Sequence, residues 1–114
     1  MLSTSAKLRT IKMVHTLAWA FFVACIVLLP IAGLRGRLTA AACLAGCVAG
    51  EVAVLASNHW RCPLTDVAAR YTTDRRPNFD IYLPEWLARH NKGIFGTFFV
   101  VGLVVTLARW RRWL

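Results

Sequence analysis

The sequence predicts an all-α membrane protein with three transmembrane helices and one or two short interfacial helices between the second and the third. Of the 114 residues, 58% are hydrophobic, above the roughly 45–50% typical of soluble domains, and they lie in three long runs. Four of the five acidic residues and three of the four prolines instead lie between residues 58 and 92. We therefore expect a single membrane domain over residues 1–114, with spans at about 12–34, 38–58 and 93–109 and an interfacial polar segment at 59–92.

The first span follows a short polar start in which Ser3, Thr4 and Ser5 are plausible N-caps. Its apolar part is long enough to cross a bilayer only if the helix continues through Pro30 to Leu34, although a proline tends to kink or end a helix. The run has no convincing cleavage site before the turn at residues 35–37, so we interpret it as an uncleaved span.

The second span is rich in alanine and glycine. Ala42, Gly46 and Gly50 recur every four residues and therefore share one helix face. Small residues at this spacing allow two membrane helices to approach closely, so we expect this face to pack against a neighbouring helix.

Prolines divide the polar segment that follows. Pro63 after Cys62 predicts a short helix from Leu64 to about Tyr71. Residues 72–78 have the composition of a loop, and Pro84 predicts a further helix start. That helix should run along the interface over 85–92, cross the bilayer, and end near Trp113 among basic and aromatic anchors.

The charge of +9 indicates a membrane surface rather than nucleic acid, because the basic residues flank the apolar runs. With the N-terminus inside, nine basic residues lie on the cytoplasmic side and five on the other. This count favours a multi-pass protein with a cytoplasmic N-terminus and a cytoplasmic polar segment.

Seven polar residues form the candidate site. They are His15, Glu51, His59, Cys62, Asp80, His90 and Lys92. A carboxylate inside a span costs about 2.5–3.5 kcal/mol on insertion scales, so Glu51 indicates either proton handling or a packing contact with His15 or His59. The three histidines lie on one predicted side, where they could bind haem or a transition metal if they converge, or serve as interfacial polar groups.

Cys62 differs from the three cysteines within apolar helices, which we interpret as small hydrophobes. As an N-cap beside Arg61 its thiol pKa should fall, which favours a reactive thiol, but a purely structural cap at a tight bend is the preferred interpretation. Asp80 could pair with Arg75, Arg76 or Lys92. The sequence contains no Walker loop, HExxH or GxSxG motif.

The motif Cys62-Pro63-Leu64-Thr65 at the end of a span, with Glu51 upstream and His15 in the first span, resembles a family of small bacterial membrane proteins that carry a domain of unknown function. The tract NFDIYLPEWLARHNK at residues 78–92 is similar to one branch of such proteins, and this likeness covers nearly the whole chain. Downstream of Arg70 the chain departs from the larger family. The resemblance implies the architecture and a bacterial inner membrane, but no activity.

These observations favour an accessory or interaction subunit whose cytoplasmic segment docks lipid or a partner protein, with a homo-oligomer or another membrane protein as partner. The alternative is a redox or proton-transfer protein that binds haem, a metal or a quinone at the candidate site. An enzyme acting on a lipid or isoprenoid is a third possibility without a supporting motif. The polar segment should lie along the membrane surface over the helix ends that carry His15 and Glu51.

Overall fold

A computed structural model of the chain describes residues 3–112, and within them the fold is entirely helical. The helices are α1 (Thr4–Leu34), α2 (Leu38–Ser57), α3 (Pro63–Ala68) and α4 (Glu85–Trp110). Three of these, α1, α2 and α4, are long and apolar enough to span a membrane, and α3 is the short helix between the second and third. The predicted fold class is confirmed.

Helix α1 begins at the predicted cap and continues through its proline. The Ser3 hydroxyl oxygen accepts a hydrogen bond from the Ala6 N–H at 3.1 Å, which satisfies one of the free donors of the first turn. The helix continues past Pro30 to Leu34. It ends at Gly36, whose φ of 71° is the left-handed conformation that glycine adopts at helix C-termini.

Helix α2 ends with a less usual pair of residues. His59 and Trp60 both have left-handed φ angles, of 57° and 63°, although neither is a glycine. The Trp60 N–H donates to the Leu55 carbonyl oxygen across the helix end, which is the hydrogen bond of a Schellman motif. Each left-handed residue with a Cβ costs about 1–2 kcal/mol, so this tight turn into Cys62 stores backbone strain.

Helix α3 is shorter than the sequence indicated. Cys62 is its N-cap and Pro63 its first residue, as predicted, but the helix ends at Ala68 rather than near Tyr71. The N–H groups of Arg70 and Tyr71 donate to the carbonyl oxygens of Val67 and Ala68, three residues back, so the α-helix ends in a tighter turn. The Arg75 guanidinium then donates to the carbonyl oxygens of Ala69 and Thr72.

Helix α4 follows Pro84 and runs without interruption from Glu85 to Trp110. The predicted interfacial stretch at 85–92 is therefore the beginning of this long helix. Turn residues follow Trp110, and the expected helix end near Trp113 lies outside the described residues.

Contacts along the chain divide it into two compact units. We call Met1–Ala20 with Ala53–Asn91 the polar unit, and Phe21–Val52 with Lys92–Leu114 the apolar unit. Each of α1, α2 and α4 contributes residues to both.

The apolar unit packs through small residues of α1 and α4. Its buried core consists of Cys25, Ile26, Leu29, Ala32, Ala41 and Val48. A Cβ added to Gly33 would lie 2.6 Å from the Thr106 Oγ1 atom, and one added to Gly102 would lie 2.9 Å from the Leu29 Cδ2 atom. These two glycines permit the close approach that the sequence had assigned to α2.

The predicted packing face of α2 is open within the described residues. Ala42 is exposed, and a Cβ built on Gly46 or Gly50 meets no described atom within 4 Å. The inward side of α2 instead consists of Ala41 and Val48. A helix that packs on the Ala42, Gly46 and Gly50 face would have to come from outside the described chain.

Candidate functional site

His15 and Asp80 form a polar contact inside the polar unit, 65 positions apart in the chain. The His15 Nδ1 atom lies 3.1 Å from the Asp80 backbone oxygen and 3.4 Å from the Asp80 Oδ2 atom. A carbonyl oxygen only accepts hydrogen bonds, so Nδ1 must carry the proton. The other ring nitrogen, Nε2, is then free to accept a proton.

Asp80 is itself held in place from two directions. It is the one buried charged residue of the described chain, with 5% of its surface exposed. The Thr65 hydroxyl, from the first turn of α3, donates a hydrogen bond to the Asp80 Oδ2 atom. A buried carboxylate needs such partners because desolvation disfavours its charged form. Thr65 and His15 supply them from α3 and α1.

The loop that carries Asp80 is attached to α1 by further hydrogen bonds. The Tyr82 N–H donates to the Thr16 Oγ1 atom at 3.0 Å, and this hydroxyl donates in turn to the Lys12 carbonyl oxygen. The Trp19 indole N–H donates to the Asn91 Oδ1 atom at 2.8 Å, which ties α1 to the first turns of α4. These contacts fix where Asp80 meets His15.

Cys62 completes the group at the N-cap of α3. Burial is the largest single influence and raises the pKa of its thiol, but His15 and the backbone N–H groups of Leu64 and Thr65 together lower the net pKa below the ordinary value. The side chain forms no regular cap hydrogen bond, yet the N–H groups of Leu64 and Thr65 also favour the thiolate. The Arg61 guanidinium, which we had expected to lower this pKa, lies 3.7 Å from the Asp66 carboxylate.

The three side chains form a thiol, imidazole and carboxylate series. The nearby His15 imidazole lowers the pKa of the Cys62 thiol, and His15 is oriented by Asp80. This order matches the general requirement for an activated nucleophile, in which the base is held in position by a third group. We refer to Cys62, His15 and Asp80 together as the thiol site.

Basic side chains stand over aromatic rings around the thiol site. The Lys12 ammonium lies 4.6 Å from the centre of the Tyr82 ring, and the Lys7 ammonium lies 5.7 Å from that of Tyr71. Cation–π contacts of this kind hold flexible lysine side chains in place. They give the polar unit a fixed positive surface on the N-terminal side of His15.

The remaining candidate residues are distributed elsewhere. His59, His90 and Lys92 are exposed, and Glu51 is half-buried on α2 and interacts electrostatically with Cys25. Across residues 3–112 no group of three His, Cys, Asp or Glu side chains is arranged to hold a metal ion. A haem between the histidines stays a prediction, which the visible spectrum of the purified protein tests.

The sequence missed the true partners of Asp80. Arg75 binds backbone carbonyls and Arg76 pairs with Asp74 at 2.8 Å, so neither arginine reaches Asp80 as expected. The pKa of Asp74 falls to about 2 because of this contact with Arg76. Thr65 could have been noticed, because it closes the Cys-Pro-Leu-Thr motif.

Comparison with protein-family models, with curated proteins and with solved structures found no match to this chain. The resemblance to small bacterial membrane proteins therefore stays a prediction. The chemistry of the thiol site is accordingly inferred from its own geometry.

Proposed function

We propose that the protein is a small multi-pass membrane protein that performs thiol chemistry through Cys62. The observation that carries this proposal is the contact of His15 Nδ1 with Asp80 at 3.1 and 3.4 Å. This contact leaves Nε2 as the basic nitrogen of an imidazole that also lowers the pKa of the nearby Cys62 thiol. Cys62 is the nucleophile, His15 the general base, and Asp80 the group that sets the tautomer and orientation of His15.

The environment of Cys62 supports a reactive rather than a structural thiol. The lowered pKa of the Cys62 thiol raises the fraction of thiolate, which is the reactive form. Exposure of the residue is intermediate, so a reagent can approach it.

Alkylation measures this directly. In a variant that retains only Cys62, the rate of reaction with iodoacetamide should rise with pH around a midpoint below the ordinary thiol value. His15→Asn should move the midpoint back towards that value, since asparagine keeps an N–H donor near Nδ1 and removes the base. The matched control is a variant that retains only Cys43, which is exposed and lies outside the thiol site.

A midpoint for Cys62 at or above that of an ordinary thiol would refute the proposal. So would a His15→Asn variant with an unchanged midpoint, provided that its helical circular dichroism matches that of the parent.

A second candidate function is that of an interaction subunit in the inner membrane, and the open face of α2 favours it. Because Gly46 and Gly50 have no described neighbour within 4 Å of an added Cβ, a helix from a second copy or another membrane protein could approach them closely. In detergent the protein should then migrate as an oligomer, and Gly46→Leu should shift it to the monomer. Ala40→Leu is the control, because Ala40 is also exposed but lies about 120° around the helix from Gly46.

A Gly46→Leu profile identical to that of the parent would remove this second function and leave the thiol proposal intact.

A further inference from the structure

We infer that the thiol site accepts a long-chain acyl group from an acyl thioester, so that Cys62 becomes S-acylated. This inference rests on the proposed thiol chemistry and adds the substrate class. Three features of the polar unit support this inference: the depth of the thiol site in the membrane, the lipid-facing surface of α1 at that depth, and the fixed cations near the thiol site. The fourth argument concerns the leaving group of the substrate, which His15 can protonate.

The depth of the thiol site follows from the position of His15 on α1. Lys12 lies one turn towards the N-terminus, about 4.5 Å along the helix axis, and its ammonium is held over Tyr82. Lysine at this position belongs in the headgroup layer. His15 therefore lies just below the headgroups. Cys62 lies at the same level, because Thr65, whose N–H donates to the Cys62 carbonyl oxygen, also bonds to Asp80, and Asp80 contacts His15.

Lipid contacts α1 at this level on the face opposite His15. Met13 and Leu17, each two residues from His15, have 58% and 69% of their surfaces exposed. Exposed apolar side chains in a spanning helix face acyl chains. The indoles of Trp60 and Trp86 are also largely exposed, and this residue type is enriched where hydrocarbon meets headgroups. The thiol thus lies at the boundary between headgroups and hydrocarbon. The carbonyl carbon of an acyl chain inserted into the bilayer lies at the same boundary.

The positive charges near the thiol site favour a substrate in which the acyl carbonyl is joined to a phosphate-bearing group. Lys7 and Lys12 are held over tyrosine rings, on the headgroup side of His15. The polar unit contains eight Lys and Arg residues against four Asp and Glu residues. A polyanionic carrier such as coenzyme A would gain from these charges while its acyl chain enters the bilayer.

The reaction balances without a further reagent. His15 takes the Cys62 proton, and the thiolate attacks the acyl carbonyl carbon. A new bond forms between Cys62 sulfur and that carbon, and the bond between the carbon and the carrier sulfur breaks. His15 returns the proton to the departing carrier thiolate, so the products are S-acyl Cys62 and the free carrier thiol.

The leaving group distinguishes a thioester from a phospholipid ester, which offers a carbonyl at the same depth. The carrier thiol has an ordinary thiol pKa of about 8.5, so an imidazolium can protonate it readily and one thioester replaces another. Acyl transfer from a phospholipid ester would instead expel an alkoxide. An alkoxide is the conjugate base of a far weaker acid than a thiol, so it is the poorer leaving group. The geometry therefore favours the thioester source. A cytoplasmic polar unit, as the charge count predicts, would lie in a reducing compartment that preserves thiols.

The test uses the full chain in vesicles of neutral phospholipid. Alkyne-tagged palmitoyl coenzyme A is added in one arm, and in the other the same tagged acyl chain is supplied on phosphatidylcholine. We expect label on Cys62 in the first arm, released by neutral hydroxylamine as a thioester. Cys62→Ala should reduce labelling to background, and His15→Asn should slow it by about 10²-fold. Cys43→Ala, outside the thiol site, should label like the parent.

A variant with both Lys7→Ala and Lys12→Ala tests the carrier. The concentration of acyl coenzyme A that gives half-maximal labelling should rise by about tenfold, and the maximal rate should change little. An unchanged concentration dependence would overturn the role of these cations and with it the assignment of a polyanionic carrier.

The outcomes separate this inference from the proposed function. If Cys62 alkylates as a thiolate but takes label in neither arm, the acyl substrate is wrong while the thiol function stands. Label from phosphatidylcholine alone overturns the thioester source. If Cys62 behaves as an ordinary thiol in alkylation and remains unlabelled, both proposals fail.

Discussion

The contacts within the polar unit differ in kind from the contacts within the apolar unit. In the polar unit, hydrogen bonds join residues far apart in the chain, as between His15 and Asp80 or Trp19 and Asn91. Its buried apolar residues are few, chiefly Ala68 and Ile81. In the apolar unit, buried aliphatic side chains meet across helices that approach each other at glycine.

This difference matches the solvent that we predict around each unit. Within lipid the hydrophobic effect does not drive helices together, so close packing at small residues has to do so. At the headgroup level water competes for polar groups, and a hydrogen bond persists where it is buried, as at Asp80. Packing tolerates many sequences of similar volume, whereas a buried polar network requires particular groups. A site for chemistry is therefore expected in the polar unit.

The largest expected effect on stability comes from removing the carboxylate of the polar unit. Asp80→Ala leaves the Thr65 hydroxyl without its acceptor and His15 with the backbone oxygen alone. We expect a loss of about 3 kcal/mol in the free energy of unfolding, measured by denaturant titration in mixed micelles. Asp74→Ala is the matched control and should have little effect, because Asp74 pairs with Arg76 in an exposed loop. Equal losses for the two variants would show that the polar network is not specific.

The second prediction tests close packing in the apolar unit. Gly33→Ala places a Cβ 2.6 Å from Thr106 Oγ1 and 3.1 Å from Thr106 Cα, so the α4 backbone must move. We expect a loss of about 1–3 kcal/mol in the same titration. Gly46→Ala adds the same methyl group where no described atom lies within 4 Å, and it should be neutral or stabilising by up to about 1 kcal/mol. A Gly33→Ala variant as stable as Gly46→Ala would contradict the close approach.

The third prediction concerns the strained turn at the end of α2. His59→Gly should stabilise the polar unit by about 1 kcal/mol, because glycine adopts the left-handed φ of 57° without the Cβ penalty. Ala56→Gly, within the regular helix, should instead destabilise by about 0.5–1 kcal/mol. The comparison is made by thermal unfolding in one detergent, and a loss of stability in both variants would argue against strain at His59.

The smallest effect is a dependence of stability on pH that arises from Cys62. Its pKa is lowered in the folded chain, so between that pKa and the ordinary thiol value of 9.0 the folded state binds fewer protons than the unfolded state. Stability should therefore rise with pH through this window, level off above it, and be lost as pH falls through the folded pKa. Cys62→Ser removes the titrating group and should flatten this part of the profile. A slope that persists in Cys62→Ser would assign it to another group.

Much of the fold could be predicted because it depends on short-range patterns. The three long apolar runs, a cap among residues 3–5 and the Cys62-Pro63 helix start all follow from composition and local backbone preference. The passage of α1 through Pro30 runs against local preference and was required only by the length of a span. The end of α3 could not be predicted, because neither proline nor glycine follows Ala68 directly and the chain leaves the helix through hydrogen bonds that reach only three residues back. The closely packed glycines could not be predicted either. Gly33 and Gly102 differ from Gly46 and Gly50 only in which residues lie opposite them in the folded chain.

The sequence by itself determined that this chain has three membrane-spanning helices and a proline-divided polar segment, because hydropathy and proline geometry act locally. It also singled out His15, Cys62 and Asp80 among seven candidates, without indicating which of them meet. Only the tertiary structure decided that the loop carrying Asp80 closes onto α1 and joins His15 to Cys62. The physical reason is that such a contact spans 65 positions of the chain and depends on where the polar segment folds back, which no local pattern specifies.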